Sequence, residues 1–345
     1  MFFYWLLATD YFFMFRLAVI GAGSWGTALS IVAGRAGHEV RLWSRNREAV
    51  EEINREHVNS RYLASHLIPS NVRATYELSD ALRDAELVLL VAPSHVTREL
   101  VTSMLPSVEP QMIFVSATKG IEIETGRRVS QVVREVLGES VDERFVCLSG
   151  PSFADEVAAG QPTAVVAASS SIRYSRLVQE ALSYGNLRVY TNTDVVGTEL
   201  GGSVKNVMAV AAGMVAGLGL GTNSVAALIT RGLAEIARLG MAEGGRLETL
   251  MGLAGMGDLV LTCTGSLSRN RYVGQELGKG RALEEILSGM REVAEGVKTT
   301  RAVHALAQKL NVEMPITNEV HAVLYEDKRV RDAVESLMTR PLRDE

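Results

Sequence analysis

Cysteine is nearly absent: only Cys147 and Cys263 occur in 345 residues, far apart and without partners spaced as metal ligands. That scarcity excludes a disulfide-stapled scaffold and suits a reducing compartment, with both thiols packed rather than bonded. Six histidines (His38, His57, His66, His95, His304 and His321) form no ligand pairing, so no metal site is expected. Runs of lysine and arginine are missing, as is any stripe of alternating basic and aromatic residues. With a net charge of −5 this argues against a nucleic-acid partner. Internal repeats and low-complexity linkers are also lacking.

The amino-terminal segment lacks the marks of a targeting sequence. Met1 to Phe15 holds five of the eight phenylalanines but no early positive charge and no small-residue cleavage site. Thr9-Asp10 breaks its apolar run well short of the ~20 residues that a membrane span needs. Residues 1–13 are therefore expected to be an extension outside the fold, with a start at Met14 giving the ordinary short lead into a strand at Arg16. A segment that binds a membrane surface or a partner is the weaker alternative. Stable membrane insertion is not expected.

What is present describes a soluble two-domain protein: the chain exceeds the size at which single cores stop growing, and 47% hydrophobic residues accompany 22% charged ones. The first half alternates short β-rich apolar runs with helical stretches. Leu17–Ile20, Glu39–Trp43, Leu87–Val91 and Met112–Ser116 read as strands, followed by Phe145–Leu148, Thr163–Ala167 and Leu187–Tyr190. Thr27–Ala36 and Ala49–Glu56 read as helices. Continuous apolar strands between helices predict a doubly wound parallel sheet covered on both faces. Near Asp194 the character changes to Ala, Gly, Leu and Met with helical periodicity. Asp194 is the expected N-cap of a long helix running through Lys205 to about Val215. The expected division is residues 14–193 for a cofactor domain and 194–345 for a helical domain, with the active site between them.

Ile20-Gly21-Ala22-Gly23-Ser24-Trp25-Gly26 matches the G-x-G-x-x-G pattern at the first strand-to-helix junction. Its glycines permit a tight turn, close approach of backbone to a diphosphate, and packing of helix on strand. Free N–H groups at the helix start complete an anion site. After the second strand, where NAD-preferring sites place an acid, Leu42-Trp43-Ser44-Arg45-Asn46-Arg47 supplies two arginines instead. Arg45, together with Arg47, suits a 2′-phosphate, so NADP(H) is the preferred cofactor and NAD(H) is also admitted.

Three further segments look chemical. Lys119 follows a strand's carboxyl end in Ser116-Ala117-Thr118-Lys119-Gly120, where open α/β sheets bind ligands. Lys205 and Asn206 sit among small and apolar residues in Glu199–Asn206, and such a lysine is costly to bury. Asp258 precedes Thr262 and then the Ser268-Arg269-Asn270 cluster.

In this order, GAGSWGTAL, ATKG, LSGPSFADE, ELGGSVKN, AALITRGLAE, GDLVLTCT, SRNR and the late AEG and MPIT stretches resemble the bacterial-type NAD(P)-dependent glycerol-3-phosphate dehydrogenases, from residue 16 to about 325. The resemblance implies an α/β Rossmann-type domain followed by an all-α domain, of the 6-phosphogluconate-dehydrogenase-like kind. It implies a cytoplasmic enzyme, with a homodimer admitted, that reduces dihydroxyacetone phosphate to sn-glycerol 3-phosphate for glycerophospholipid synthesis. By the same resemblance Ser24, Trp25, Arg45, Asn46, Tyr62 and Ala154 lie along the cofactor, and Arg269, Val293 and Glu295 close over it. Lys119 would meet both cofactor and substrate. Gly150, Ser152, Lys205, Asp258, Thr262, Ser268, Arg269 and Asn270 would form the substrate site, with Lys205 as proton donor/acceptor.

The residue types suit that chemistry. Hydride addition to a ketone leaves negative charge on oxygen, which needs a positioned proton donor. Burial and a neighbouring Lys119 bring Lys205 toward neutrality, while Asp258 holds it oriented and charged. Arg269 and Asn270 suit a phosphate. Two other readings share these features: a related β-hydroxyacid dehydrogenase, and a non-catalytic NADP-binding regulator. The SRN cluster and the paired Lys119 speak against the first, and the retention of Lys119, Lys205 and Asp258 together speaks against the second.

Overall fold

The computed structural model describes residues 14–290 and 294–341. The expected extension over residues 1–13 lies outside the described residues.

Eight strands form one sheet: β1 (Arg16–Ile20), β2 (Glu39–Trp43), β3 (Val72–Thr75), β4 (Leu87–Leu90), β5 (Ile113–Ser116), β6 (Phe145–Ser149), β7 (Thr163–Ala168) and β8 (Leu187–Asn192). Their spatial order is β3-β2-β1-β4-β5-β6-β7-β8. Pairing is parallel throughout except between β6 and β7. Successive side chains of a strand enter opposite faces. Leu17 and Val19 join the core under helix Ser24–Arg35, and Ala18 and Ile20 join the core on the other face with Val88, Leu90 and Phe114. Both faces are thus dry, which is why these strands read as unbroken apolar runs. The sheet order reverses at β1 and β4, so the carboxyl ends of β1, β4 and β5 open onto a common crevice.

Beyond β8 the described chain is helical. Asp194 caps helix Val195–Gly217, its Oδ1 accepting the Gly197 N–H at 2.8 Å. Every residue from Gly197 to Val215 is buried. This helix is long and apolar enough to cross a membrane, but 89% of the relevant stretch is buried inside the fold, which marks it as a core helix. Helix Arg269–Gly278 crosses it at backbone contact. A methyl on Gly213 would stand 2.0 Å from the Arg271 carbonyl oxygen, and one on Gly274 would stand 1.9 Å from that of Val210. Helices Thr222–Ala242, Asp258–Thr264, Glu295–Lys309 and Pro315–Tyr325 complete the second core around it.

Two buried carboxylates fasten the layers. Glu199 accepts from Arg128, from the Ser130 backbone N–H and from the Ser130 hydroxyl at 2.7, 2.7 and 2.6 Å. This anchors the core helix to the sheet half. Glu235, in the AALITRGLAE segment, accepts from the Ile316 and Thr317 N–H groups at the start of helix Pro315–Tyr325. The MPIT stretch therefore meets its partner through a capping contact.

Candidate active site

The glycine loop divides its labour residue by residue. Gly21 has φ +126°, and a methyl there would lie 2.9 Å from the Val91 carbonyl oxygen. At Gly26 a methyl would lie 1.8 Å from the Gly21 carbonyl oxygen, so this position permits the helix to pack on its own turn. A methyl on Gly23 would meet nothing within 4 Å. Gly23 sits at the N-cap of helix Ser24–Arg35, so its openness leaves the helix's first N–H groups accessible from the cleft. The residues present thus fit a dinucleotide diphosphate.

From that loop a cleft of about 1250 Å³ runs between sheet and helical core. Trp25, Arg45, Tyr62 and Ala154 line it toward the glycine loop, and Lys119, Ser152, Lys205, Asp258, Thr262, Arg269, Asn270 and Glu295 line it toward the helices. Gly21, Gly23, Ser24, Asn46 and Ser268 also belong to the lining, whereas Gly26 and Gly150 do not. Gly150 contributes through its carbonyl, which accepts from Lys119 Nζ at 3.2 Å and from the Ser152 hydroxyl at 3.0 Å. Val293 lies outside the described residues.

The two arginines after β2 part company. Arg45 faces the cleft, but Arg47 is not in its lining and stacks on the Tyr76 ring, 4.4 Å from its centroid. Of the two arginines expected at a 2′-phosphate, the structure thus brings only Arg45 to the cleft. Asn46 caps helix Arg47–Glu56 through its side-chain oxygen, which accepts the Ala49 N–H at 3.2 Å.

At the cleft's floor three charged side chains form one chain of hydrogen bonds. Asp258, only 1% exposed, accepts from Lys119 Nζ on Oδ2 at 2.6 Å and from Lys205 Nζ on Oδ1 at 2.7 Å. Lys205 donates a second bond to Thr262 Oγ1 at 2.6 Å, and that hydroxyl donates to the Asp258 carbonyl at 2.7 Å. One ammonium hydrogen of Lys205 remains for the cleft. Asp258 and Thr262 are one helical turn apart, so a single helix face presents both to the lysine. Burial, aided by the Lys119 ammonium and opposed by Asp258, lowers the Lys205 pKa to about 8. Lys119 is brought there by β5, whose end leads into Ala117–Gly120. The Gly120 N–H donates to Ser203 Oγ at 2.9 Å, tying that loop to the helix that carries Lys205.

Above the lysines, Asn270 Nδ2 donates to Asn206 Oδ1 at 2.9 Å, and Asn270 Oδ1 accepts the Gly296 N–H at 2.9 Å. Arg269 opens the helix that Ser268 caps, the Ser268 hydroxyl accepting the Arg271 N–H at 3.2 Å. Glu295 begins the next helix, and burial pushes its carboxyl up to about 7 against the pull of Arg269 and a hydrogen bond from the Ser94 backbone. Asn206 and His95 also line the cleft; the sequence placed Asn206 with Lys205 in a segment that looks chemical, without a stated role, and marked His95 only as a surface or packing residue. An amide beside Lys205 in an otherwise small and apolar run was the signal for Asn206. A lone histidine after a strand gave none.

Comparison with known proteins identifies the family. The family model described as NAD-dependent glycerol-3-phosphate dehydrogenase N-terminus matches residues 16–175, and the corresponding C-terminus model matches residues 194–335. The glycerol-3-phosphate dehydrogenase (NAD(P)+) of Koribacter versatilis is 57% identical over 330 residues, covering 95% of this chain and 98% of that one. That of Citrifermentans bemidjiense is 52% identical, covering 96% and 98%. The crystal structure of glycerol-3-phosphate dehydrogenase from Coxiella burnetii superposes with a TM-score of 0.91 at 44% identity, over 95% of this chain and 99% of that one. The chain belongs to the NAD-dependent glycerol-3-phosphate dehydrogenase family.

Proposed function

We propose that this protein reversibly reduces dihydroxyacetone phosphate to sn-glycerol 3-phosphate with NAD(P)H, in two working parts that meet near residues 193–194. The observation that carries the reading is the Lys119–Asp258–Lys205–Thr262 chain at the floor of a cleft that begins at an open glycine loop.

A nicotinamide dinucleotide held in this cleft would supply the hydride; the protein supplies position and a proton. Asp258 and Thr262 fix two hydrogens of Lys205 and leave the third for the substrate's carbonyl oxygen. As negative charge develops there, Lys205 Nζ donates its proton, and in the reverse direction the neutral amine accepts one from the alcohol. A pKa near 8 lets the same group do both near neutrality. Lys119 places a second positive charge beside the reacting oxygen. Arg269, Asn270, Ser152 and Ser268 surround the substrate's phosphate end, and Asn206 orients Asn270 toward it. Arg45 favours NADP(H) through a charge-assisted bond to the 2′-phosphate, with NAD(H) also used. NADP(H) use suits a biosynthetic direction, in which the product enters glycerophospholipids. Two buried, unpaired thiols suit the reducing cytoplasm.

The test is Lys205→Ala, assayed by NADPH oxidation with dihydroxyacetone phosphate and, separately, by NADPH binding. Turnover is expected to fall at least about a hundredfold, as for loss of a general acid, with binding retained. Near-normal turnover would remove Lys205 from this role, and a well-folded wild type that turns over neither NADPH nor NADH would overturn the assignment.

A further inference from the structure

The segment that carries Tyr62 reaches the cleft from outside the glycine motif, and one buried amide holds it there. Asn59 is 0% exposed. Its Nδ2 donates to the Ala22 carbonyl at 3.0 Å, inside the glycine loop, and to Thr27 Oγ1 at 2.8 Å, in the first turn of the following helix. The Asn59 backbone carbonyl accepts the Tyr62 and Leu63 N–H groups at 3.2 and 2.9 Å. Ser24 closes the circuit, its hydroxyl donating to the Tyr62 carbonyl at 3.2 Å. His57, with φ 55°, turns the chain out of helix Arg47–Glu56 so that Asn59 can enter beneath the loop.

This arrangement answers a physical difficulty of the loop. Glycine is chosen at positions 21 and 23 for reach and turn, but it leaves the unbound loop many conformations. Ordering those on binding would subtract from affinity. Asn59 fixes the peptide between Gly21 and Gly23 from behind, without occupying the cleft: it is not among the lining residues. We propose that Asn59 is a positioning residue for cofactor binding, holding Ala22 and Thr27 in the bound-state arrangement and seating Tyr62 as the opposite wall. The inference rests on the dehydrogenase reading only in taking a nicotinamide dinucleotide as the ligand.

The experiment measures NADPH binding directly by its fluorescence, thermal melting of the unliganded protein, and the separate KM values for NADPH and dihydroxyacetone phosphate. Asn59→Ala is expected to weaken NADPH binding about tenfold or more, equivalent to ~1.4 kcal/mol. The KM for dihydroxyacetone phosphate at saturating NADPH should change less than about twofold. Thr27→Val removes one of the two acceptors while keeping shape, and should weaken binding by about threefold, with melting lowered because one Asn59 N–H is left buried without a partner. Should Asn59→Ala fail to fold, Thr27→Val decides alone. Binding within twofold of wild type in folded protein, or equal losses in both KM values, would overturn the proposal. A wild type that binds NADPH but does not turn over dihydroxyacetone phosphate would fail the functional reading while leaving this one to be judged on binding.

Discussion

Asp258→Asn separates holding a lysine in place from setting its proton affinity. The carboxylate serves two ammonium groups at once, one on each oxygen, at 2.6 and 2.7 Å. An amide of the same shape has one acceptor, so one lysine would keep a partner and the other would face an N–H donor. A unit charge at this range is worth several kcal/mol even at an effective dielectric of about 20. Part of that is recovered by the remaining hydrogen bond, so a loss of at least ~1.4 kcal/mol, or one pKa unit, is a lower figure. Lys205 would fall from about 8 to about 7 or below. At pH 7.5 its ammonium fraction would drop from roughly three quarters to a quarter or less, and the rate of reduction would fall at least about threefold. The assay is kcat for NADPH oxidation across pH 5.5 to 9 at saturating substrates, with melting measured alongside because breaking a buried pair costs ~3–5 kcal/mol. The expected result is a descending limb shifted to lower pH, with much of the rate recovered toward pH 6. A uniform drop at every pH, with the limb still near 8, would refute the electrostatic role and leave Asp258 as an orienting group only.

In the wild type, reduction should decline as pH rises through about 8, because the donor must be protonated, while glycerol-3-phosphate oxidation should rise through the same value; flat profiles in both directions would exclude Lys205 as the titrating group. Arg45→Glu should weaken NADPH by roughly ten- to a hundredfold, the worth of a hydrogen bond to a charged group, and NADH far less; equal losses would sink the 2′-phosphate argument. Gly23→Ala should melt like the wild type yet bind cofactor poorly, whereas Gly26→Ala, whose methyl would stand 1.8 Å from a backbone oxygen, should lose stability as well; the reverse order in a melting experiment would refute the division of roles. Glu199→Gln takes the nearer of two carboxylates from the buried Arg128, Glu243 remaining at 3.5 Å, and should cost ~1–3 kcal/mol in denaturant unfolding, with no measurable loss counting against that ion pair as a tie between the halves.

Much of the fold was legible because its signals are local. The seven strands read from apolar runs are all present, and Asp194 caps the long helix as its side-chain chemistry predicts. β3, Val72–Thr75, escaped because its alternation of buried and exposed residues spans only four positions. Nothing along the chain showed that β7 and β8 run against the other strands, since direction depends on how connections cross the sheet. The glycine loop was readable, but the division between an open Gly23 and a crowded Gly26 needs the neighbouring backbone.

What the sequence by itself determined is the kind of chemistry: a phosphate-cradling turn after a strand, lysines too costly to bury idly, and an acid and an arginine in segments whose order marks the family. Those are properties of residue type and short spacing. Tertiary structure decided which of them meet. Lys119 and Lys205 lie 139 and 53 residues from Asp258 along the chain, yet end on the two oxygens of its carboxylate. The same packing turned Arg47 onto Tyr76 and away from the cleft, and slid Asn59 beneath the loop, because a side chain's direction is fixed by the surfaces around it and not by its place in a motif.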